Sequence, residues 1–243
     1  LIDPIVDALT RRGLARTAGT DTLRLLGDPS PAAWRAFADS WDNLGPDRYM
    51  ADGGRYRRRR HATFTVVDGV AERQVHQPHF QSRDYNRLNG DVQRWFEPVT
   101  VETERNPVMA GVFHACAAAF TRAAARSPRL SWRAEVHQFR IEATAAAEGR
   151  PTPEGFHRDG VDWVFVMLVG RRNAIEGVTQ IGTAAGAPLG DFALTEPGDA
   201  IWLDDARILH GVTPIRPLNP AIPAYRDALV VTFLTQSEAE APP

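Results

Sequence analysis

The chain has 243 residues, 43% of them hydrophobic and 24% charged, the balance of a protein that folds around a core. Its 28 basic and 30 acidic side chains leave a formal net charge of -2, which gives no electrostatic reason to expect nucleic acid as a partner. No apolar run reaches the ~18–20 residues of a membrane span, and the single Cys116 excludes internal disulfides and cysteine-rich zinc sites.

The N-terminus shows no signal-peptide pattern and no initiator methionine, so trimming of something short and a reducing cytoplasm are expected. Asp3-Pro4 reads as N-cap and first residue of a helix over 4–12. Ser30-Pro31 repeats the signal for a helix carrying Trp34, Phe37, Trp41 and Leu44. In "RYRRRRHATF", Arg55 and Arg57 to Arg60 read as a solvated edge strand, where charge discourages edge pairing. One or two of these arginines turning inward to an anionic small molecule is the alternative. "HATFTVVDGVAERQV" reads as a hairpin around Asp68-Gly69. The turn-rich "HFQSRDYNRLNGDVQRWF" is placed over a barrel mouth, with Gln81, Tyr85, Asn86 and Arg94 as candidate substrate contacts.

Asn106-Pro107 opens a third helix whose apolar face carries Met109, Val112, Phe113, Cys116 and Phe120, which makes Cys116 a core residue. After residue 130 the texture changes to strands: "RAEVHQFRIEA", "DWVFVMLV", "TQIGTA", "FALTE", "DAIWLDD", "ILHGVTPI" and "DALVVTFLT". Short strands split by Gly, Pro and Asp turns predict a mainly β, α+β fold with a closed or two-sheet antiparallel barrel. One domain over 1–243 is expected, helical to about residue 50 and β from about 55 to 236.

The chemistry starts at "PEGFHRDG". In extended chain, residues i and i+2 project to one side, so His157 and Asp159 can address one ion. His210 in "ILHGVTPI" is the candidate third ligand, after a Pro197-Gly198-Asp199 turn into the preceding strand. Two histidines and a carboxylate with open positions suit a non-haem Fe(II) oxygenase. A catalytic zinc accepts the same ligands, and two unrelated surface histidines are the bland alternative. If the co-substrate is 2-oxoglutarate, its far carboxylate needs a buried cation, and arginine's planar fork fits it bidentately. Arg226, opening the strand after His210, is the choice over Arg216, which lies in a loop-like stretch. Gln138 and Arg140 form a polar face of their strand and are further candidates for 2-oxoglutarate or substrate.

"HRDGVDWVFVMLV", "LHGVTPI" and "YRDALVVTF", with "HFQSRDYN" and "VHQFR" upstream, resemble the bacterial Fe(II)/2-oxoglutarate-dependent dioxygenase family that includes L-isoleucine 4-hydroxylase. The likeness runs from about Arg55 to Phe233. It implies a double-stranded β-helix (jelly-roll) core with flanking N-terminal helices. It further implies Fe(II), 2-oxoglutarate and O2, with ascorbate as reductant in vitro, and hydroxylation of a free L-amino acid with release of succinate and CO2. By the matching motifs His157, Asp159 and His210 would hold the iron and Arg226 the 2-oxoglutarate. The isoleucine hydroxylase carries an acidic residue where this chain has Gly160, so more room for substrate is expected there. Desaturation or ring closure with the same cofactors, a non-catalytic 2-oxoglutarate or metal sensor, and a zinc hydrolase on the same ligands are the alternatives. For a free amino acid, Arg57 to Arg60, Arg94 and Arg140 are the carboxylate candidates; Gln81, Asn86 and Gln138 are the ammonium candidates.

Overall fold

The computed structural model describes residues 1–86, 88–125 and 130–236. The first helix, α1 (Asp3–Arg12), starts one residue early: Ile2 is the N-cap, and Asp3 sits in the first turn with its carboxylate on Arg122. A strand the sequence did not announce, β1 (Leu14–Thr17), and a short helix, α2 (Gly19–Leu25), follow. Helix α3 (Pro31–Asp39) is capped by Ser30, whose Oγ accepts from Ala33 N at 3.2 Å. Trp41 is not on α3 but in a single 3₁₀ turn over Ser40–Asn43, and Leu44 is extended, so the expected helix is shorter than its apolar spacing suggests. Trp41 stays buried because its indole NH reaches the carbonyl of Phe139 at 3.0 Å.

Strands β2 (Arg57–Val67) and β3 (Val70–Arg73) form the expected hairpin, with φ of 50° and 80° at Asp68 and Gly69. Helices α4 (Val101–Glu104) and α5 (Pro107–Ala123) come next, α5 capped by Asn106 Oδ1 on Val108 N at 2.9 Å. The remaining strands are β4 (Ser131–Ala143), β5 (Trp163–Arg172), β6 (Ala174–Glu176), β7 (Val178–Thr183), β8 (Pro188–Ala193), β9 (Ala200–Asp204), β10 (Ile208–Val212), β11 (Ile215–Pro217) and β12 (Ala224–Gln236).

They build a seven-stranded sheet in the order β1-β9-β5-β12-β4-β2-β3, a three-stranded sheet β10-β7-β8, and the small pair β11-β6. All named pairings are antiparallel. The central strands of the large sheet lie opposite the small one, which is the jelly-roll arrangement with helices on its outer face. Val164, Leu168, Ile181, Ile201, Leu203 and Ile208 pack between the sheets.

Alternation decides what each face carries. On β12, Leu229, Val231 and Phe233 point to the helices, while Arg226, Ala228, Val230 and Thr232 point to a cavity between the sheets. On β4, Trp132, Ala134 and Val136 point outward, and Glu135, His137, Phe139 and Ile141 point to the cavity. The helices close the outer face: Phe120 of α5 stacks on Trp163 at 5.1 Å and meets Phe233 edge-on at 5.2 Å. Cys116 lies in this layer, fully buried, and burial pushes its thiol pKa up, as expected of a core residue.

The arginine run departs from the edge-strand reading. Arg59 N donates to Gly45 O at 2.9 Å and His61 N to Glu97 O at 3.0 Å, so loops cover that edge. Arg57 and Arg59 turn inward, 5% and 3% exposed, while Arg58 and Arg60 turn outward to Glu142 and Glu97. Asp47 answers the buried pair: its Oδ2 takes Arg57 Nε at 2.7 Å and lies 3.8 Å from Arg59 Nη1. Burial opposes the Asp47 charge, yet the two guanidinium groups and the amide of Tyr49 hold its pKa below the ordinary value. Arg59 is also sandwiched between Phe96 and Phe139, 3.8 and 4.4 Å from their ring centres.

Asp47→Ala would leave two buried cations uncompensated, and an unfolding free energy lower by ~3–5 kcal/mol is expected from urea denaturation at neutral pH. Because the folded carboxyl titrates below its unfolded value of 3.8, the wild-type advantage is whole above that pH. It should vanish as pH falls through the lower folded value.

Candidate metal centre

The segment before β5 lies against β10. His157 and His210 exchange backbone hydrogen bonds, N to O at 3.0 Å in both directions, and their ring centres are 4.6 Å apart. This bridge sets the two imidazoles side by side on one wall of the cavity. Asp159 faces both, Oδ1 3.7 Å from His157 Nε2 and Oδ2 3.6 Å from His210 Nε2. Cis ligands on an ion with bonds of about 2.1 Å stand about 3 Å apart, so small side-chain movements close the set on a cation. All three predicted ligands are thus together, the histidine side chains about nine-tenths buried and that of Asp159 21% exposed.

The protonation pattern is that of a carboxylate between imidazoles. Burial opposes the Asp159 charge, but the His157 contact and both rings hold its pKa far below the carboxylate range. Burial also opposes protonation of His157, yet the facing carboxylates of Asp159 and Glu154 raise it to about 9. His210 falls to about 4 through burial and the neighbouring His157. The other ring nitrogen of His157 meets Gly155 O at 2.9 Å, which orients Nε2 inward.

A residue the sequence did not single out holds the loop. Asp205, after β9, accepts from the backbone amides of Asp159, Gly160 and Val161 at 2.9, 2.8 and 3.1 Å. The preceding "WLDD" hinted at it only as a polar strand end. Gln81 adds a contact from the side, its Nε2 donating to Asp159 O at 3.0 Å while its Oε1 accepts from Asn86 at 3.1 Å.

The cavity measures about 450 Å³. Gln81, Tyr85, Asn86 and Arg94 all line it, as does Arg226. Arg226 is 3% exposed; its Nε and Nη2 are buried with no hydrogen-bond partner among the described residues. Burial and the charge of Arg171 lower its pKa to about 10, so it remains charged at neutral pH. Such a group needs an anion. Arg216 lies outside, on Glu148 and Glu176.

Two expectations fail. Gln138 and Arg140 are on the helix side of β4: Gln138 donates to Ser40 at 2.9 Å, and Arg140 forms a bidentate pair with Asp227 at 2.8 Å. Their polarity serves that face, since the cavity face of β4 carries the odd-numbered residues. Gly160 leaves no room either. A Cβ there would stand 2.6 Å from the Tyr85 ring, and its φ of +81° disfavours a side chain.

A second cluster of potential ligands, His61, His79, Glu135 and His137, borders the same cavity. Glu135 Oε2 meets His79 Nδ1 at 2.6 Å and His61 Nε2 at 3.3 Å, and Oε1 accepts from Arg133 at 2.9 Å. Arg59 lies 2.7 Å from His137 Nδ1. A guanidinium can only donate, so the His137 proton falls on Nε2, the atom that would have to ligate. Two arginines already stand where a cation would be drawn, and the cluster is a closed hydrogen-bond net around one carboxylate. Burial lowers His79 to about 4, and His61 and His137 are lowered as well.

The 2OG-Fe dioxygenase family profile matches residues 38–232. The chain belongs to this family. Its members are 2-oxoglutarate-dependent non-haem iron dioxygenases, and the His-Asp-His set with an orphaned arginine in one cavity has the donors that Fe(II) and 2-oxoglutarate require. A bsmA homolog from Methylobium petroleophilum is 36% identical, with a TM-score of 0.88 over 97% of this chain and 95% of that one. IDO from Bacillus thuringiensis shares the fold at 18% identity and a TM-score of 0.78, over 97% and 96% of the two chains. The 3(1)-hydroxy-L-isoleucine 4-dioxygenase of Pantoea ananatis is 25% identical over 68% of this chain and 67% of its own.

Replacing Asp205 by Asn removes the charge that gathers three loop amides. The variant is expected to fold and to bind Fe(II) roughly 10- to 100-fold more weakly in an anaerobic titration. Unchanged affinity would show that the His157–His210 bridge suffices to place Asp159.

Proposed function

We propose that this dioxygenase hydroxylates a small, free L-amino acid with an aliphatic side chain, releasing succinate and CO2. The observation that carries the reading is the pairing, in one cavity, of a three-ligand cluster with a buried arginine whose Nε and Nη2 have no hydrogen-bond partner among the described residues. A zinc hydrolase would have no use for that arginine. The hydroxy-isoleucine dioxygenase relative supports the amino-acid class, and so does the cavity wall, where Phe139, Ile141, Val166, Val212 and Val230 offer an apolar surface.

In this reading His157, Asp159 and His210 would hold Fe(II) on one face, leaving its other positions to ligands. The Arg226 fork would take the distal carboxylate of 2-oxoglutarate and so orient its keto-acid end toward the metal. Iron with 2-oxoglutarate and O2 supplies the oxidising power for attack on an unactivated C–H bond. Asp205 and Gln81 fix the Asp159 loop, and the apolar wall keeps bulk water from the reacting carbon.

His157→Ala and His210→Ala are each expected to abolish turnover and iron binding while circular dichroism stays that of the wild type. Arg226→Ala should raise the 2-oxoglutarate Kd by roughly 30- to 1000-fold, about 2–4 kcal/mol, with Lys rescuing only in part. Unchanged 2-oxoglutarate affinity would remove Arg226 from the role.

The substrate is found by incubating a panel of free amino acids with Fe(II), 2-oxoglutarate and ascorbate and measuring succinate above the substrate-free rate. A product one oxygen heavier supports hydroxylation, whereas one two hydrogens lighter means desaturation or ring closure. Stimulation by a peptide or carrier-bound substrate alone would overturn the free-substrate reading.

A further inference from the structure

Five arginines border the cavity, and their partners sort them. Arg57 is held by Asp47, Arg59 by His137 and Asp47, and Arg133 by Glu135. Two remain. Arg226 is one; Arg94 is the other, 2% exposed, with Nε and Nη2 buried and no acceptor among the described residues. A cavity with two unanswered guanidinium forks is built for two anionic ligands, and 2-oxoglutarate accounts for one.

The carboxylates sort as well. Glu135 has both oxygens engaged, and Asp159 faces the two histidines. Glu154 is different: its Oε2 is buried without a partner, its side chain is 10% exposed, and Oε1 stands 3.8 Å from His157 Nε2. It is also close enough to Arg94 for its charge to favour the guanidinium. The amide candidates are already occupied: Gln81 holds Asp159 and Asn86, and Gln138 faces the helices.

From this we infer that Arg94 and Glu154 form a clamp for the two ends of a zwitterion, Arg94 taking the substrate's α-carboxylate and Glu154 its α-ammonium. The inference rests on the amino-acid reading above and sharpens it. A substrate tethered through its carboxyl group, as a thioester or amide, would leave the buried Nε and Nη2 of Arg94 without a carboxylate to accept from them. An N-acylated one would leave the buried Oε2 of Glu154 without a charged donor. The site therefore requires both termini free.

The test is equilibrium binding, by calorimetry without oxygen, to the protein loaded with Fe(II) and 2-oxoglutarate. The probes are L-valine, L-leucine, L-isoleucine and L-methionine, each with its carboxamide and N-acetyl derivative. At least one free amino acid should bind, and both derivatives should bind roughly 30-fold or more weakly. Arg94→Gln should lose the acid by a similar factor yet bind the carboxamide about as the wild type does, with 2-oxoglutarate affinity within about threefold of wild type. Glu154→Gln should stop discriminating against the N-acetyl form.

Equal binding of acid and carboxamide by the wild type would overturn the Arg94 assignment, and that comparison needs no variant to fold. An Arg94→Gln variant that loses 2-oxoglutarate rather than the amino acid would overturn it too. Should an amino acid be bound and hydroxylated while its derivatives bind equally well, the clamp alone fails. Should no free amino acid bind the wild type, the clamp fails together with the amino-acid reading.

Discussion

The structure depends on one constraint: both faces of the large sheet are buried, and they are buried in unlike surroundings. The helices demand an apolar face, and α5 meets it with Phe120 among Trp163, Trp202 and Phe233. The cavity face holds charge, from Arg57 and Arg59 on β2 through Glu135 on β4 to Arg226 on β12. A slip of one residue in any of these strands would exchange the two sets, placing guanidinium groups against Phe120 and aromatic rings in the cavity. Register is therefore fixed from both sides. Along β12 and β4 the pairing runs unbroken from Ala224↔Ala143 to Gln236↔Ser131.

Charge on the inner face has to be balanced locally, since the side chains that carry it are largely buried. Asp47 answers Arg57 and Arg59, and Glu135 answers Arg133 with His61 and His79. The His157–His210 bridge and the Asp205 carboxylate organise a third group around Asp159. Stability and ligand binding thus draw on the same electrostatics. Among the described residues, Arg94, Arg226 and Glu154 are the charged groups lining the cavity that keep buried atoms without a hydrogen bond and have no salt-bridge partner of opposite charge beyond the His157 contact of Glu154.

Much of this was readable from the chain. The Pro-capped helices, the Asp68-Gly69 turn and the His157, Asp159, His210 and Arg226 set rely on local signals or on motifs in order, and the structure brings that set into one cavity. The misses share a cause: strand alternation tells which residues share a face but not which face looks inward. Gln138 and Arg140 were placed on the wrong side for that reason, and Arg57 and Arg59 seemed solvated because a run of charge masks a period of two. Asp205 gave only the hint of a polar strand end, since its meaning lies in backbone amides reached through the fold. Glu154 lies three residues before His157, but whether its carboxylate turns into the cavity depends on how the loop is held. Trp41 and Leu44 kept helical spacing past the helix end because a 3₁₀ turn continues nearly the same direction.

Gly160 has a consequence for how such sites diverge. Its missing side chain is not spare volume, because the Tyr85 ring, from the loop over the cavity, fills the place where a Cβ would stand. The two positions are therefore mutually exclusive occupants of one space. A side chain at position 160 would require the Tyr85 ring to move or shrink, whereas a smaller residue at 85 is compatible with Gly160. Substitutions at 160 and 85 are therefore expected to be non-additive. That couples the residue after Asp159 to the shape of the cavity mouth.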